Sequence, residues 1–128
     1  MIVDQKTQEI LATAFASGNQ HDFELFKESR CQLFEPIRIL ADSGYLGIGN
    51  LHANSQIPAK KSKLHPLTKE QKASNRLLSH ERVLVENVIR KLKIFRILSE
   101  RYRNRRKRFS LRFNLIAAIY NLELKNAK

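Results

Sequence analysis

The chain has 128 residues, with 24 Lys and Arg against 12 Asp and Glu and a net charge of +12. That length suits one domain, and a hydrophobic fraction of 42% is enough for a core, which excludes a generally disordered chain. A single cysteine, Cys31, excludes a disulfide framework and a Cys-rich zinc site, while three Pro and four Gly exclude a collagen-like chain. No apolar run approaches the roughly 20 residues of a membrane span. The start Met1-Ile2-Val3-Asp4 lacks the pattern of a secretory signal, so the expected setting is cytoplasmic and reducing, without a membrane.

The charge is divided. Residues 1–58 hold four bases against seven acids, a net of −3, and residues 59–128 hold twenty bases against five acids, a net of +15. Neutralising phosphates releases counterions, so a basic half of this strength points to a polyanion. Nucleic acid leads as the partner and an anionic membrane surface comes second, with a merely solvated basic surface as the plain alternative to both.

In chain order, the short apolar runs Ile2-Val3 and Ile10–Ala16 flank polar residues and predict a hairpin. A break at Ser17-Gly18-Asn19-Gln20 precedes a short helix over about residues 22–30, capped by Asn19 or Asp22, with Phe23, Phe26 and Cys31 inward. Pro36 leads into Ile37–Ala41, which has the length and β-branching of a buried strand and ends at Asp42-Ser43-Gly44-Tyr45. Strand, short helix and strand suggest an α/β sheet with a covered face. Residues 47–67, with Pro58, Pro66 and Lys60-Lys61-Ser62-Lys63, read as a basic loop between residues 1–46 and a helical part, 68–128. Thr68 and Gln71 form a capping box opening a helix predicted to run to about Arg101. The basic cluster 101–108 follows, then a final helix over Leu111–Leu124.

Unrolled at about 100° per residue, Leu77, Leu84, Val88, Leu92 and Phe95 of the long helix share one stripe, which Leu78, Val85 and Ile89 widen. Arg82, Glu86, Lys93 and Ser79 fall together on its border. Glu86 with Arg82 and Arg90 makes an ordinary surface ladder worth roughly 0.3–0.5 kcal/mol per pair. Glu86 with a second carboxylate makes a site for a hard cation. Asp42, at the end of a predicted strand, is the candidate partner, and a turn cap is its plainer role. His21, His52, His65 and His80 lack metal-ligand spacing, no Ser or Cys has an evident base, and each histidine reads as a turn or surface residue.

Taken together, Gly18-Asn19-Gln20-His21-Asp22, Ala41-Asp42-Ser43-Gly44-Tyr45, Asn75-Arg76, Arg82-Val83-Leu84-Val85-Glu86 and Lys91-Leu92-Lys93 with the Arg-rich run to Arg108 resemble the second half of a DDE-type insertion-sequence transposase. Related motifs occur in Harbinger-like DDE endonucleases. The resemblance implies a ribonuclease H-like fold lacking its first strand, with Asp42 and Glu86 as catalytic carboxylates and ligands of Mg²⁺ or Mn²⁺. It sets Arg82 and Lys93 in an Arg-x3-Glu-x6-Lys signature and Asp22 at a frequently acidic position, where an N-cap is the plainer role. Ser79 stands where relatives carry a Tyr. The first Asp of the family set belongs on an upstream strand, and Asp4 is not assigned that role. The implied activity is metal-dependent cleavage and strand transfer at transposon ends by the complete enzyme. Its partners would be double-stranded DNA, an upstream transposase polypeptide and further copies in an oligomer. Lys60, Lys61, Lys63, Arg101, Arg103, Arg105, Arg106, Lys107 and Arg108 would hold phosphates, although the Arg run also reads as a helix end complementing its dipole. The alternative is an inactive remnant or regulatory protein that only binds DNA. A single-stranded RNA binder fits less well, since there is no Trp and most Phe lie in apolar runs.

Overall fold

The hairpin forms as expected, in a computed structural model that describes residues 1–101 and 106–127. Strands β1 (Ile2–Val3) and β2 (Ile10–Ala12) pair antiparallel. Asp4 closes the turn: one carboxylate oxygen accepts the N–H groups of Lys6 at 2.9 Å and Thr7 at 2.7 Å, and the Thr7 hydroxyl at 3.1 Å. The Thr7 N–H first, then the other turn donors and Lys6, hold the Asp4 carboxyl below its ordinary value, against the pull of burial.

The chain divides into two units, residues 1–15 with 83–128 and residues 16–82. In the first, the hairpin lies on helix α4 (Phe109–Asn126), whose Ile116, Ala117 and Tyr120 are buried. The Asn121 side chain accepts the Ile10 N–H and donates to the Ile10 carbonyl, both at 2.9 Å. The Tyr120 hydroxyl donates to the Gln8 carbonyl at 3.1 Å, where Gln8 holds a positive φ of 62°. Phe15 meets Phe109 and Phe113 edge-on. Val88 and Leu92, from the end of helix α2 (Lys69–Leu92), complete this core with Ile10.

In the second unit, helix α1 (Asp22–Glu28) starts without the expected side-chain cap. His21 holds the N-cap position, and Asp22 lies in the first turn, where its charge favours the positive helix pole. Strand β3 is only Ile39–Leu40, pairs parallel with β4 (Ser55–Gln56) and is half-buried, so the expected five-residue buried strand is corrected. Ile37 is exposed and Ile39, Leu40 and Ala41 are half-buried, so the run is not the interior strand its composition suggested. The expected loop 47–67 thus contains β4 and a 3₁₀ turn at Ile48–Asn50. His52 is buried rather than at the surface, its Nε2 against the Ile37 carbonyl. Asn75 of α2 holds the loop by accepting the Ala59 N–H at 2.8 Å and donating to the Ala59 carbonyl at 2.9 Å.

The capping box closes reciprocally, with Thr68 N–H donating to Gln71 Oε1 at 3.0 Å and Gln71 N–H to Thr68 Oγ1 at 3.1 Å. Two expectations for the helix behind it are corrected. It ends at Leu92 instead of near Arg101, because its last turn tightens and Phe95, Ile97 and Leu98 turn to pack on the core. Helix α3 (Arg96–Ser99) is the short remainder. The buried stripe runs through Leu78, Val88 and Leu92, while Leu77 is 68% exposed. Overall the architecture is α/β, with four short strands in two two-stranded sheets among the described residues and a long helical part.

Replacing Asn121 by Ala leaves the Ile10 N–H and carbonyl without that partner and should cost about 1–3 kcal/mol. Urea unfolding should show a lower midpoint with an unchanged slope; an unchanged midpoint would remove Asn121 from the account of stability.

Candidate functional site

Asp42 leaves the end of β3 into a tight turn. Its Oδ1 accepts the Gly44 N–H at 3.2 Å and the Ser43 hydroxyl at 3.1 Å, and its carbonyl accepts the Tyr45 N–H at 3.0 Å. Its Oδ2 pairs with Nη2 of Arg82 at 3.4 Å. The Gly44 N–H first, then the Ser43 hydroxyl and the Arg82 charge, hold the carboxyl below its ordinary value of 3.8, against burial, which pulls upward. Asp42 is therefore both a turn residue and an exposed, ionised oxygen donor. The two roles occupy different oxygens.

Tyr45 follows directly. Its ring meets Phe23 at 5.8 Å and Phe26 at 6.2 Å, both edge-on, which seats α1 on the Asp42 turn. Burial raises the Tyr45 hydroxyl above its ordinary value of 10.0, and the negative charges of Asp22 and Asp42 raise it further. Asp22, Asp42, Tyr45 and Arg82 thus share one neighbourhood within residues 16–82. Gly47, at a φ of 92°, passes close to the Phe23 ring in a conformation that side-chain-bearing residues rarely adopt. Beside this group, Arg38 of the same unit pairs with Glu81 at 3.1 Å and also donates to Gln56, tying β4 to α2.

Arg82 therefore has Asp42 as its partner, which corrects the expected ladder with Glu86. Among the described residues Glu86 has no ion pair; it is exposed, one turn beyond Arg82 on α2. Glu86 and Lys93 belong to the other unit. Lys93 is exposed and borders a cleft of about 330 Å³ lined chiefly by Met1, Phe15, Ile89, Leu98 and Phe113. Lys60, Lys61 and Lys63 are exposed around a turn closed by Ser62 and His65. Arg101, Arg106, Lys107 and Arg108 are exposed as well. Arg103 and Arg105 lie outside the described residues. Arg106–Arg108 form a 3₁₀ turn immediately before α4, with Arg108 at its N-cap. Their charges stand at the positive pole of that helix, so for these three residues the expected dipole complement is corrected. Among the described residues no group of three or more His, Cys, Asp and Glu could hold a metal ion, and no helix is long and apolar enough to cross a membrane.

Tyr45, His52, Asn75 and Asn121 were not singled out by spacing. Only their local motifs, Asp42-Ser43-Gly44-Tyr45 and Asn75-Arg76, carried a signal.

A match to the transposase DDE domain covers residues 1–122, and the chain belongs to that family. It is 50% identical over 124 residues to the probable transposase for insertion sequence element IS702 of Microchaete diplosiphon. The alignment covers 97% of this chain and 45% of that relative, so the chain spans about half the relative's length. No solved structure matches it.

Because the Asp42 carboxyl is held below 3.8, its contribution to stability is present above that pH and is lost as pH falls through the lower folded value. Carboxyl-carbon NMR should give a midpoint for Asp42 below 3.8, moving upward in Arg82→Gln. A midpoint at or above 3.8 would contradict the turn geometry.

Proposed function

We propose that this chain is part of a DDE transposase catalytic domain, ribonuclease H-like in fold, acting with Mg²⁺ or Mn²⁺ at transposon ends in the complete enzyme. The observation that carries this is the turn at Asp42, an ionised carboxylate with one oxygen fixed by Gly44 and Ser43 and the other paired with the Arg82 guanidinium. A hard divalent cation prefers anionic oxygen donors, and Asp42 and Glu86 are each exposed donors of that kind, which supports the assignment. In this assignment Asp42 and Glu86 are the metal-holding, catalytic carboxylates. When bound, divalent ions activate water or a DNA 3′-hydroxyl and stabilise the leaving oxygen of an in-line displacement.

The chain's own residues do the rest. Gly44 and Ser43 fix the Asp42 rotamer, Tyr45 anchors its turn on α1, and Arg82 neutralises the carboxylate. Asp22 adds negative charge beside Tyr45. Lys93 lies seven residues after Glu86, as the signature Arg-x3-Glu-x6-Lys requires. Lys60, Lys61, Lys63, Arg101, Arg103, Arg105, Arg106, Lys107 and Arg108 contact DNA phosphates, which position a duplex without reading its sequence. The repulsion between Arg106–Arg108 and the α4 dipole supports this for those three, since a phosphate there relieves it.

The family set needs a first Asp from an upstream strand, so the 128-residue chain alone should be silent with Mg²⁺ or Mn²⁺ and transposon-end DNA. Adding a polypeptide that supplies that strand should restore cleavage, and Glu86→Gln should abolish it again. Robust cutting by the chain alone, lost on mutating Asp4, would make Asp4 the missing ligand. A chain that binds DNA yet stays silent with every upstream partner would favour the DNA-binding remnant.

Duplex binding should weaken roughly 10³-fold or more between about 50 and 200 mM salt if six or more phosphates are neutralised. Replacing Arg106, Lys107 and Arg108 together by Ala should flatten the log–log salt slope by about 2 to 3. An unchanged slope would remove them from the footprint.

A further inference from the structure

The cleft of about 330 Å³ that Lys93 borders lies within the first unit, between the end of α2 and the start of α4. Its walls are Leu92, Leu98 and the rings of Phe15, Phe109 and Phe113, whose centroids stand 5.9, 5.3 and 6.1 Å apart. Ile89 keeps 38% exposure beside it, and its carbonyl accepts the Lys93 N–H at 3.0 Å, so both residues belong to the same turn. The lining offers two polar side chains. The Thr13 hydroxyl is already engaged, donating to Asn114 Oδ1. The Lys93 side chain is exposed and has no ion pair among the described residues. Its surroundings are basic as well. From Glu86 to Phe113 the described residues hold nine bases against two acids, Glu86 and Glu100. An apolar concavity with one convergent charge is the usual form of a small-molecule site, and this volume is near the lower end of the roughly 300–1,000 Å³ such sites occupy.

We propose that this cleft binds a small amphipathic monocarboxylate, with the apolar body among Phe15, Phe109, Phe113 and Leu98 and the carboxylate on the Lys93 ammonium. Charge and polarity select that ligand. A cation without an ion pair at the mouth satisfies one anionic head through a charge-assisted hydrogen bond. Walls of aromatic and aliphatic side chains favour a body with nothing left to hydrogen-bond. A nucleobase would bring several donors and acceptors against walls that cannot meet them, and burying such groups unpaired is costly. A cationic ligand would be repelled by the basic surroundings. The volume suits a ligand of roughly a dozen non-hydrogen atoms, the small end of the class. The site uses neither Asp42 nor Glu86 and does not rest on the transposase reading; Lys93 is its one overlap with the residues assigned there.

Decanoate titrated into the methyl-labelled 128-residue chain and followed by NMR tests it. The methyl signals of Ile89, Leu92 and Leu98 should shift together and saturate, with a dissociation constant of about 10–100 µM. Lys93→Gln should weaken decanoate about tenfold and leave 1-decanol, which has no charge to lose, within about twofold. Ile89→Trp, which fills the mouth, should weaken both ligands about tenfold or more. Lys93 is exposed, so its replacement tests the site even where Ile89→Trp does not fold. The absence of a saturable shift would overturn the proposal, as would a decanoate affinity indifferent to Lys93→Gln. Shifts centred instead on the exposed Leu111, Leu115 and Leu122 would overturn it by showing detergent-like binding to the surface. Tighter binding of adenosine 5′-monophosphate than of decanoate would overturn it in favour of a base pocket.

Discussion

Two asparagine side chains do what longer strands do in other α/β proteins. A ladder of two or three residues offers few backbone hydrogen bonds, so extended segments must be fixed by other means. An amide side chain presents one donor face and one acceptor face, which lets it grip a residue's N–H and carbonyl together. Asn121 does this to Ile10 and Asn75 does it to Ala59, one clamp in each unit. The first clamp sets the hairpin on α4, and Tyr120 extends it to Gln8 at the turn. The second lays the segment after β4 along α2. Each helix thus acts as the neighbouring strand that the short sheets lack.

Within residues 16–82 that constraint bears on Asp42. The parallel pairing of β3 and β4, the buried His52 on the Ile37 carbonyl and the Arg38 bonds to Gln56 and Glu81 fix the chain leading to the turn. Tyr45, wedged against Phe23 and Phe26, fixes the chain leaving it. An exposed carboxylate is thereby held at both ends by partly buried neighbours. Its outer oxygen faces Arg82, a counter-charge that a stronger cation can displace. A surface pair of this length contributes little stability, which makes Arg82 better suited to balancing charge than to holding the fold.

Local signals in the sequence proved reliable where local chemistry decides the outcome. The capping box at Thr68, the hairpin around Asp4, the short helix after Asp22 and the final helix all follow from neighbours a few residues apart. Element ends were not legible in the same way. No Gly or Pro marks the end of α2, because the burial of Phe95, Ile97 and Leu98 stops it rather than backbone propensity. Leu77 and Leu78 are equally apolar, and only the packing of the folded chain decides that Leu78 is buried. The buried role of His52 depends on a carbonyl fifteen residues away, beyond any periodic pattern. For the candidate site, Asp42 and Glu86 came from order and spacing of motifs, while the Arg82 partnership required the folded chain.

The central claim is that Asp42 and Glu86 both serve a divalent cation. Titrating Mn²⁺ into isotope-labelled protein and following paramagnetic broadening of backbone amides tests it most directly. The account predicts that Ser43, Gly44, Glu86 and Asn87 broaden first and together, and that Asp42→Asn removes the effect at both segments. Broadening confined to other carboxylates, such as Glu24 and Glu28, or persisting unchanged in Asp42→Asn, would contradict it.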